Sequence, residues 1–335
     1  MFSTTTIKKI TPIGVRTVAD ITVADNHSYV GNGIVSHNSE TPNLQNITTH
    51  VKIKHPFVEE VTTSVKKCFL VPKGYTLINW DFSQAELRMI ADLANEVNMI
   101  AAYKAGVDLH KLTASKLMKI TLEEFLQLPK VEQDEWRQKA KAANFGLIYG
   151  QSAEGFKDYA KNTYGVKMNL KEAIEIHTAF FVAYPAILQY HEDYINKQKQ
   201  HGCVRTVFGR RGRYPDVDSV DDFLRGNAER ELVNFPVQGS NGENTVFALA
   251  LLERRLPKSV QLVNTVHDSI MAYVPDRLVP YVVKVGIDTC VNTPMLRFFG
   301  KQMKHLSMAV DAQFSKTNWK ALENWDEEKW RESIC

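Results

Sequence analysis

Cysteine is scarce in this 335-residue chain: the four present, Cys68, Cys203, Cys290 and Cys335, stand far apart and form no CxxC pair. That spacing excludes a disulfide framework and a zinc ribbon, and it fits reduced thiols in a cytoplasmic compartment. Long apolar runs are missing too. Stretches such as Val246–Leu252 fall far short of a bilayer span, so no membrane partner is expected. Met1–Ile10 is polar, without the apolar stretch of a secretory signal. No internal repeat or low-complexity tract is visible, and the net charge of +3 is too small to demand a polyanionic partner. What remains, with 44% hydrophobic and 24% charged residues, is the composition of an ordinary globular protein. The length allows roughly two domains.

The charge is unevenly spread. Lys197–Arg213 carries six Lys/Arg and no acid, and without it the rest of the chain is net acidic. A solvated loop face explains such a run by itself. The cluster Gly209-Arg-Arg-Gly-Arg213, with Phe208 and Tyr214 beside it, also fits contact with a phosphate backbone.

Residues 1–38 have a grammar of their own. Ile7–Ile10, Thr17–Val23 and Ser28–Val30 read as short strands, separated by turn signals at Asp25-Asn26 and Gly31-Asn32-Gly33. A segment so short cannot bury a core alone, and it is expected to complete a sheet supplied by a second chain. From Thr76 the pattern becomes strand then helix. Thr76–Phe82 is strand-like, and apolar residues recur at helical spacing through Gln84–Ala102. Helices are expected over Leu109–Met118, Leu122–Leu128, Gln133–Tyr149 and Asn169–Lys199, the last broken or kinked at Pro185. Val260–Val266 and Ser269–Val274 read as strands around a tight His267-Asp268 turn. The order predicts an α+β fold, a mixed sheet with a helical insertion.

Asp81, at the end of one strand, and Asp268, in the hairpin turn, each put a carboxylate at the rim of a sheet, although such aspartates are commonly turn formers or caps. Along Gln133–Tyr149, the residues Arg137, Lys141, Phe145 and Tyr149 recur every four positions and share one face. Two cations followed by two aromatics could clamp a triphosphate and stack a base. For most helices the plainer reading, a basic solvated turn followed by core aromatics, would be preferred. Gly146 would leave room for a flat ring beside the aromatic pair.

The flanking residues change that balance. Asp81-Phe-Ser-Gln-Ala-Glu-Leu-Arg88 resembles the first palm motif of family A (Pol I-like) DNA polymerases. Arg137-Gln-Lys-Ala-Lys-Ala-Ala-Asn-Phe-Gly-Leu-Ile-Tyr-Gly150 resembles that family's fingers helix, and Val266-His-Asp-Ser-Ile270 its second carboxylate motif. Thr41–Ile47, Thr206–Arg211 and Asn234–Gly239 agree, in family order. The resemblance implies a partial right-hand polymerase: a palm over 39–105 and 226–335, with helical fingers over 106–225. It implies primer-template DNA and dNTPs as partners. Asp81 and Asp268, with the Phe82 backbone carbonyl, would ligate two Mg²⁺ ions. Arg137, Lys141 and His110 would hold the phosphates, with Lys141 also donating a proton to pyrophosphate. Phe145 would pack on the incoming nucleotide, Tyr149 would guard the templating position, Gln84 would also bind the nucleotide, and Glu86 would crowd the 2′ side of the sugar. Asn234, Gln238 and His267 would line the minor groove and primer terminus, and Asn43, Gln45, Asn46, Arg210 and Arg211 would touch the duplex. Ser269 stands where many members carry a second acid. The family's thumb and exonuclease domains, which precede the Pro-Asn-Leu-Gln-Asn stretch, have no counterpart here, so this portion is not expected to extend primers alone.

Asp20–Ser39 resembles the C-terminal end of an intein, a short all-β Hint-type fragment, through Asp20, His27, the His37-Asn38 pair and Ser39. Asn38 could attack its own carbonyl to form a succinimide and cut the chain, with His37 assisting the departing amine. The Ser39 hydroxyl would accept the upstream acyl group, helped by His27 and Asp20. Residues 1–38 would then be one half of a split intein, whose partner chain carries the N-terminal polymerase domains, and the polymerase would be of phage type. Docking of two halves without splicing, or a nucleic-acid-binding remnant without turnover, are the other readings. A viral origin would place the protein in the host cytoplasm.

Overall fold

The computed structural model describes residues 64–292 and 303–334, together with the strand backbone at 20–21, 28–31, 34–37, 51–55 and 58–63. Short strands come first: β1 (Asp20–Ile21), β2 (Ser28–Gly31), β3 (Ile34–His37), β4 (Val51–His55) and β5 (Val58–Thr63). β2 pairs with β3 and β4 with β5 in antiparallel fashion.

The centre of the molecule is a six-stranded sheet of order β1-β9-β10-β6-β11-β12. Its members after β1 are β6 (Tyr75–Phe82), β9 (Gln261–Val266), β10 (Ser269–Pro275), β11 (Val310–Ser315) and β12 (Glu323–Asn324). β7 (Val204–Arg205) and β8 (Arg211–Gly212) form a separate two-stranded ribbon. β1 runs parallel to β9 at the sheet edge, Asp20 opposite Asn264. The expectation that the first segment needs a second chain's strands is therefore corrected for β1, which pairs within its own chain. The two-residue contact is too short to be visible as a strand-pairing signal in the sequence.

β6 is buried on both faces, with alternate side chains facing opposite ways. Ile78, Trp80 and Phe82 enter the main core, while Leu77 joins a smaller cluster with Met271, Tyr273 and Trp319. Asn79 and Asp81 share that second face by the same alternation.

Helices cover the main-core face and build a block beside it: α1 (Ala85–Ala94), α2 (Val97–Lys104), α3 (Leu109–Met118), α4 (Leu122–Gln127), α5 (Lys130–Gly146), α6 (Ala153–Tyr164), α7 (Leu170–Ala183), α8 (Pro185–His201), α9 (Asp222–Arg255), α10 (Val279–Asn292) and α11 (Glu327–Ile334). Several boundaries differ from the sequence reading. The expected helix Gln84–Ala102 is two helices: Asn95 adopts a left-handed φ of 54°, and the Glu96 carboxylate caps α2 by accepting from Asn98 N–H at 3.0 Å. Pro185 opens α8 rather than kinking one long helix, because Tyr184 before it is not helical. α5 begins at Lys130, just after Pro129, and gives way to a 3₁₀ turn over Leu147–Tyr149.

The 34-residue α9 is the element the sequence hid. Pro236 and glycines at 226, 239 and 242 disfavour a helix by intrinsic propensity, yet the helix runs through them with Leu232, Val233, Phe235 and Val237 in the core. Packing outweighs intrinsic propensity here. Ser240, one turn past Pro236, donates to its carbonyl and accepts from Val207 N–H at 2.9 Å, tying the β7–β8 ribbon to α9.

Candidate active site

The β6–β10 pairing brings the two acids together. Asp81 lies opposite Ser269, and Phe82 N–H donates to the Asp268 carbonyl oxygen at 3.0 Å. Between β9 and β10, His267 takes a left-handed φ of 54°, which lets the chain reverse in a tight turn. On its other side Asp81 faces Asp311 of β11, which sequence reading missed. Side chains directly opposite on neighbouring strands share a face, so Ser269, Asp81 and Asp311 form a row across three strands. The Ser83 hydroxyl donates to the Asp311 carboxylate. Only the pairing register makes Asp311 a neighbour of Asp81, 230 residues earlier. Ser269 stabilises the turn itself, its hydroxyl donating to the Val266 carbonyl at 3.0 Å.

The acids oppose one another electrostatically. Burial, then the charge of Asp268, then that of Asp311 push the Asp81 carboxyl up to about 6. Burial also raises Asp268, against the pull of its own backbone N–H and of His267. Among the described residues no Lys or Arg forms a salt bridge with any of the three. Like charges facing each other across strands destabilise a sheet unless a cation sits between them. Half-buried carboxylates with no Lys or Arg salt bridge among the described residues, here Asp81 and Asp268, suit a hard divalent cation. No group of three or more His, Cys, Asp or Glu among the described residues is arranged to hold a metal ion unaided. Two carboxylates with the remaining positions left to water and phosphate oxygens is the usual provision for Mg²⁺. Asp81 and Asp268 border a cleft of about 310 Å³, also lined by Lys66, Asn79, Met271, Trp319 and Lys320.

In the helical block, α3 and α5 pack on each other and assemble the phosphate-binding candidates. Asp108 caps α3, one carboxylate oxygen accepting from His110 N–H at 2.8 Å. Its other oxygen accepts from Arg137 Nε at 3.1 Å and Nη2 at 3.0 Å. Burial alone would raise the Asp108 carboxyl, but the guanidinium holds it below its usual range. Lys141 Nζ lies 5.8 Å from the Tyr164 ring centroid, and the Phe145 ring centroid is 5.9 Å from that of His110. Burial lowers the His110 imidazole to about 4; Asp108 opposes this, and the cations Arg137 and Lys141 reinforce it.

Tyr149 lies past the end of α5, and its hydroxyl donates to the Glu86 carboxylate, joining the helical block to the head of α1. Glu86 is raised by burial, which outweighs the Tyr149 hydrogen bond. Gln84, at a left-handed φ of 52°, accepts from the Tyr103 hydroxyl at 2.9 Å. The expected role of Gly146 is corrected. A Cβ there would lie 3.0 Å from Gln151 Oε1 and from Tyr159, so the missing side chain makes room for α6, not for a nucleotide ring.

Asn234 and Gln238 are one turn apart on α9, both half-buried, and His267 is exposed at the hairpin tip. Asn234 Oδ1 is buried without a partner among the described residues. Arg210 pairs with Glu243 at 3.0 Å, whereas Arg211 of β8 is exposed. His27, Asn38, Ser39, Asn43, Gln45 and Asn46 lie outside the described residues, and Asp20 and His37 are placed as strand backbone only.

A mixed sheet with paired acids at the end of its central antiparallel strands, faced by a helix bearing cations and aromatics, is the arrangement of a polymerase domain of palm-and-fingers type. The model of DNA polymerase family A matches residues 24–320. The chain is 34% identical over 230 residues to DNA polymerase I of Aquifex aeolicus, covering 67% of this chain and 37% of that protein. It is 34% identical over 247 residues to DNA polymerase I of Pseudomonas aeruginosa, covering 73% of this chain and 25% of that one. Among solved structures it resembles the POL domain of Pol1 from M. smegmatis in complex with DNA primer-template and dNTP. That match has a TM-score of 0.68 and 25% identity, over 84% of this chain and 45% of the other. The chain belongs to DNA polymerase family A. It spans 25% to 37% of the length of these curated relatives. No described helix is long and apolar enough to cross a membrane.

Proposed function

We propose that this chain supplies the palm (39–105 and 226–335) and fingers (106–225) of a template-directed DNA polymerase, which joins dNTPs to a primer 3′-hydroxyl. The observation that carries the reading is the meeting of Asp81, at the end of β6, with Asp268, in the β9–β10 turn, where among the described residues no Lys or Arg forms a salt bridge with either, in family order with α5. When bound there, with the Phe82 carbonyl as a further ligand, two Mg²⁺ ions would activate the 3′-hydroxyl and neutralise the leaving pyrophosphate. The remaining work is positioning and charge. Lys141 and Arg137 hold the triphosphate, Arg137 exchanging Asp108 for phosphate, and Lys141 gives a proton to pyrophosphate. His110 donates to the phosphates and Phe145 packs against the incoming base and sugar. Gln84 and Glu86 border the sugar, and the Tyr149–Glu86 pair closes its 2′ side, favouring deoxynucleotides. Asn234, Gln238 and His267 meet the primer terminus and minor groove, where every base pair offers acceptors. Arg210 and Arg211, with Asn43, Gln45 and Asn46, meet the DNA backbone.

The test is primer extension by this chain combined with its N-terminal polymerase part, against Asp81→Ala and Asp268→Ala controls. Extension that survives either substitution defeats the metal assignment.

The sequence of residues 20–39 favours a second, additional activity: splicing in trans through Asn38, His37 and Ser39, assisted by His27 and Asp20. A separate chain would carry the N-terminal intein half and the other polymerase domains. The family match overlaps this segment from residue 24, so support for splicing rests on the motif alone. Co-expression with such a partner should release residues 1–38 and yield a larger ligated product by intact mass. Asn38→Ala should abolish both, and unchanged masses in the unsubstituted pair would refute splicing.

A further inference from the structure

We propose that Asn144 is a positioning residue that fixes His110 as the neutral tautomer protonated on Nε2, with that N–H offered to the triphosphate of the incoming nucleotide. The inference rests on reading α5 as the nucleotide-binding helix. Asn144 is fully buried on α5, and its Nδ2 lies 2.9 Å from His110 Nδ1. An amide nitrogen only donates, so Nδ1 must accept and the ring proton must sit on Nε2.

The amide is held from behind. Thr113 Oγ1 shares its one proton between the Leu109 carbonyl at 2.8 Å and Asn144 Oδ1 at 3.0 Å, while the Tyr184 hydroxyl at 2.8 Å donates to Thr113. Thr113 and Tyr184 are fully buried, so no water competes for these partners. His110 is 4% exposed, and its Nε2 makes no hydrogen bond among the described residues, which leaves that atom's N–H for a ligand.

The charged groups around the ring agree with a neutral donor. Asp108 faces it from the cap of α3, and Arg137 and Lys141 face it from α5; Phe145 adds an apolar wall. An imidazolium would place a third cation in this half-buried cluster. The other neutral tautomer, obtained with the amide flipped, would turn the Nε2 lone pair toward phosphate oxygens and repel them. Asn144 thus selects the one ring state that is uncharged and still donates.

The test uses the full chain with ¹⁵N-labelled histidine, His110 being assigned by its loss in His110→Gln. Long-range ¹H–¹⁵N spectra at pH 7 should show the His110 proton on Nε2, and addition of dNTP with Mg²⁺ should move that resonance. A proton on Nδ1 overturns the proposal without recourse to any variant. In Asn144→Asp, whose carboxylate only accepts, the proton should move to Nδ1 and the ring should titrate at higher pH; an unchanged spectrum overturns the proposal. Thr113→Val should lose the tautomer preference and weaken dNTP affinity about tenfold, whereas Thr113→Ser should restore both. Equal behaviour of the two variants would overturn the role of the buried hydroxyl. If the tautomer is as expected but nucleotide leaves the resonance unmoved, the nucleotide-site reading fails and the role of the amide in fixing the ring stands.

Discussion

Asp81 holds its proton more tightly than an isolated aspartate because it is half-buried and faces Asp268 and Asp311. Its charge, and with it any affinity for a divalent cation, should therefore appear as the pH rises through about 6 rather than 3.8. Calorimetric Mg²⁺ titrations between pH 5 and 8 should show affinity climbing across that point. Asp311→Asn, which removes one of the opposing charges, should move the climb to lower pH. The linkage sign is that of an acid whose folded-state pKa is raised. Between 3.8 and about 6 the folded chain binds more protons than the unfolded one. Without metal, folded stability falls as pH rises through that window, by roughly 1–3 kcal/mol. Added Mg²⁺ should raise the thermal midpoint at pH 7 and leave it unchanged at pH 4.5, and Asp81→Asn should abolish the rise. Asp81 and Asp268 were legible as candidates because motifs surround them. Asp311 was not, because an acid in an ordinary alternating strand carries no local mark.

At the scale of elements, side chains that fasten one piece of chain to another set the stability of the platform. The buried Asp92 carboxylate at the end of α1 accepts from the backbone N–H groups of Lys304, His305 and Leu306 at 2.9, 2.6 and 3.0 Å. It anchors the stretch that leads into β11, and so places Asp311. Asp92→Ala leaves those donors unmet and should cost about 3 kcal/mol in urea unfolding, with Asp92→Asn milder. α10 lies so close to β6 that a Cβ on Gly286 would come 2.2 Å from the Trp80 ring. Gly286→Ala should cost about 1–3 kcal/mol and disturb the strand that carries Asp81, which urea unfolding and primer extension together would reveal. Existence and type of the periodic elements, α3, α5 and the β9–β10 hairpin, could be read in advance. The split at Asn95 and the passage of α9 through Pro236 could not, since a cap geometry and a surrounding core decided them.

For the molecule as a whole, a net charge of +3 hides a local excess. The basic run Lys197–Arg213 covers the end of α8 and the β7–β8 ribbon, and within it Arg210 is committed to Glu243 while Arg211 is exposed. If the ribbon meets a DNA backbone, Arg211→Ala should weaken binding alike for all sequences and reduce the salt-dependence slope by about 1. An unchanged slope would return the run to an ordinary solvated face. What could be known from residue order alone was the chemistry: motif residues in family order, helical spacing along α5, strand-like runs ending near acids. These are local or statistical properties of a chain, and they survive without knowledge of its path. The pairing of Asp81 with Asp311, the closing of the hairpin by Ser269, the packing of Gly146 against α6 and the chain of contacts from Tyr184 to His110 depend on groups far apart in sequence. Register and close packing bring them within a few ångströms, and neither leaves a trace in local periodicity.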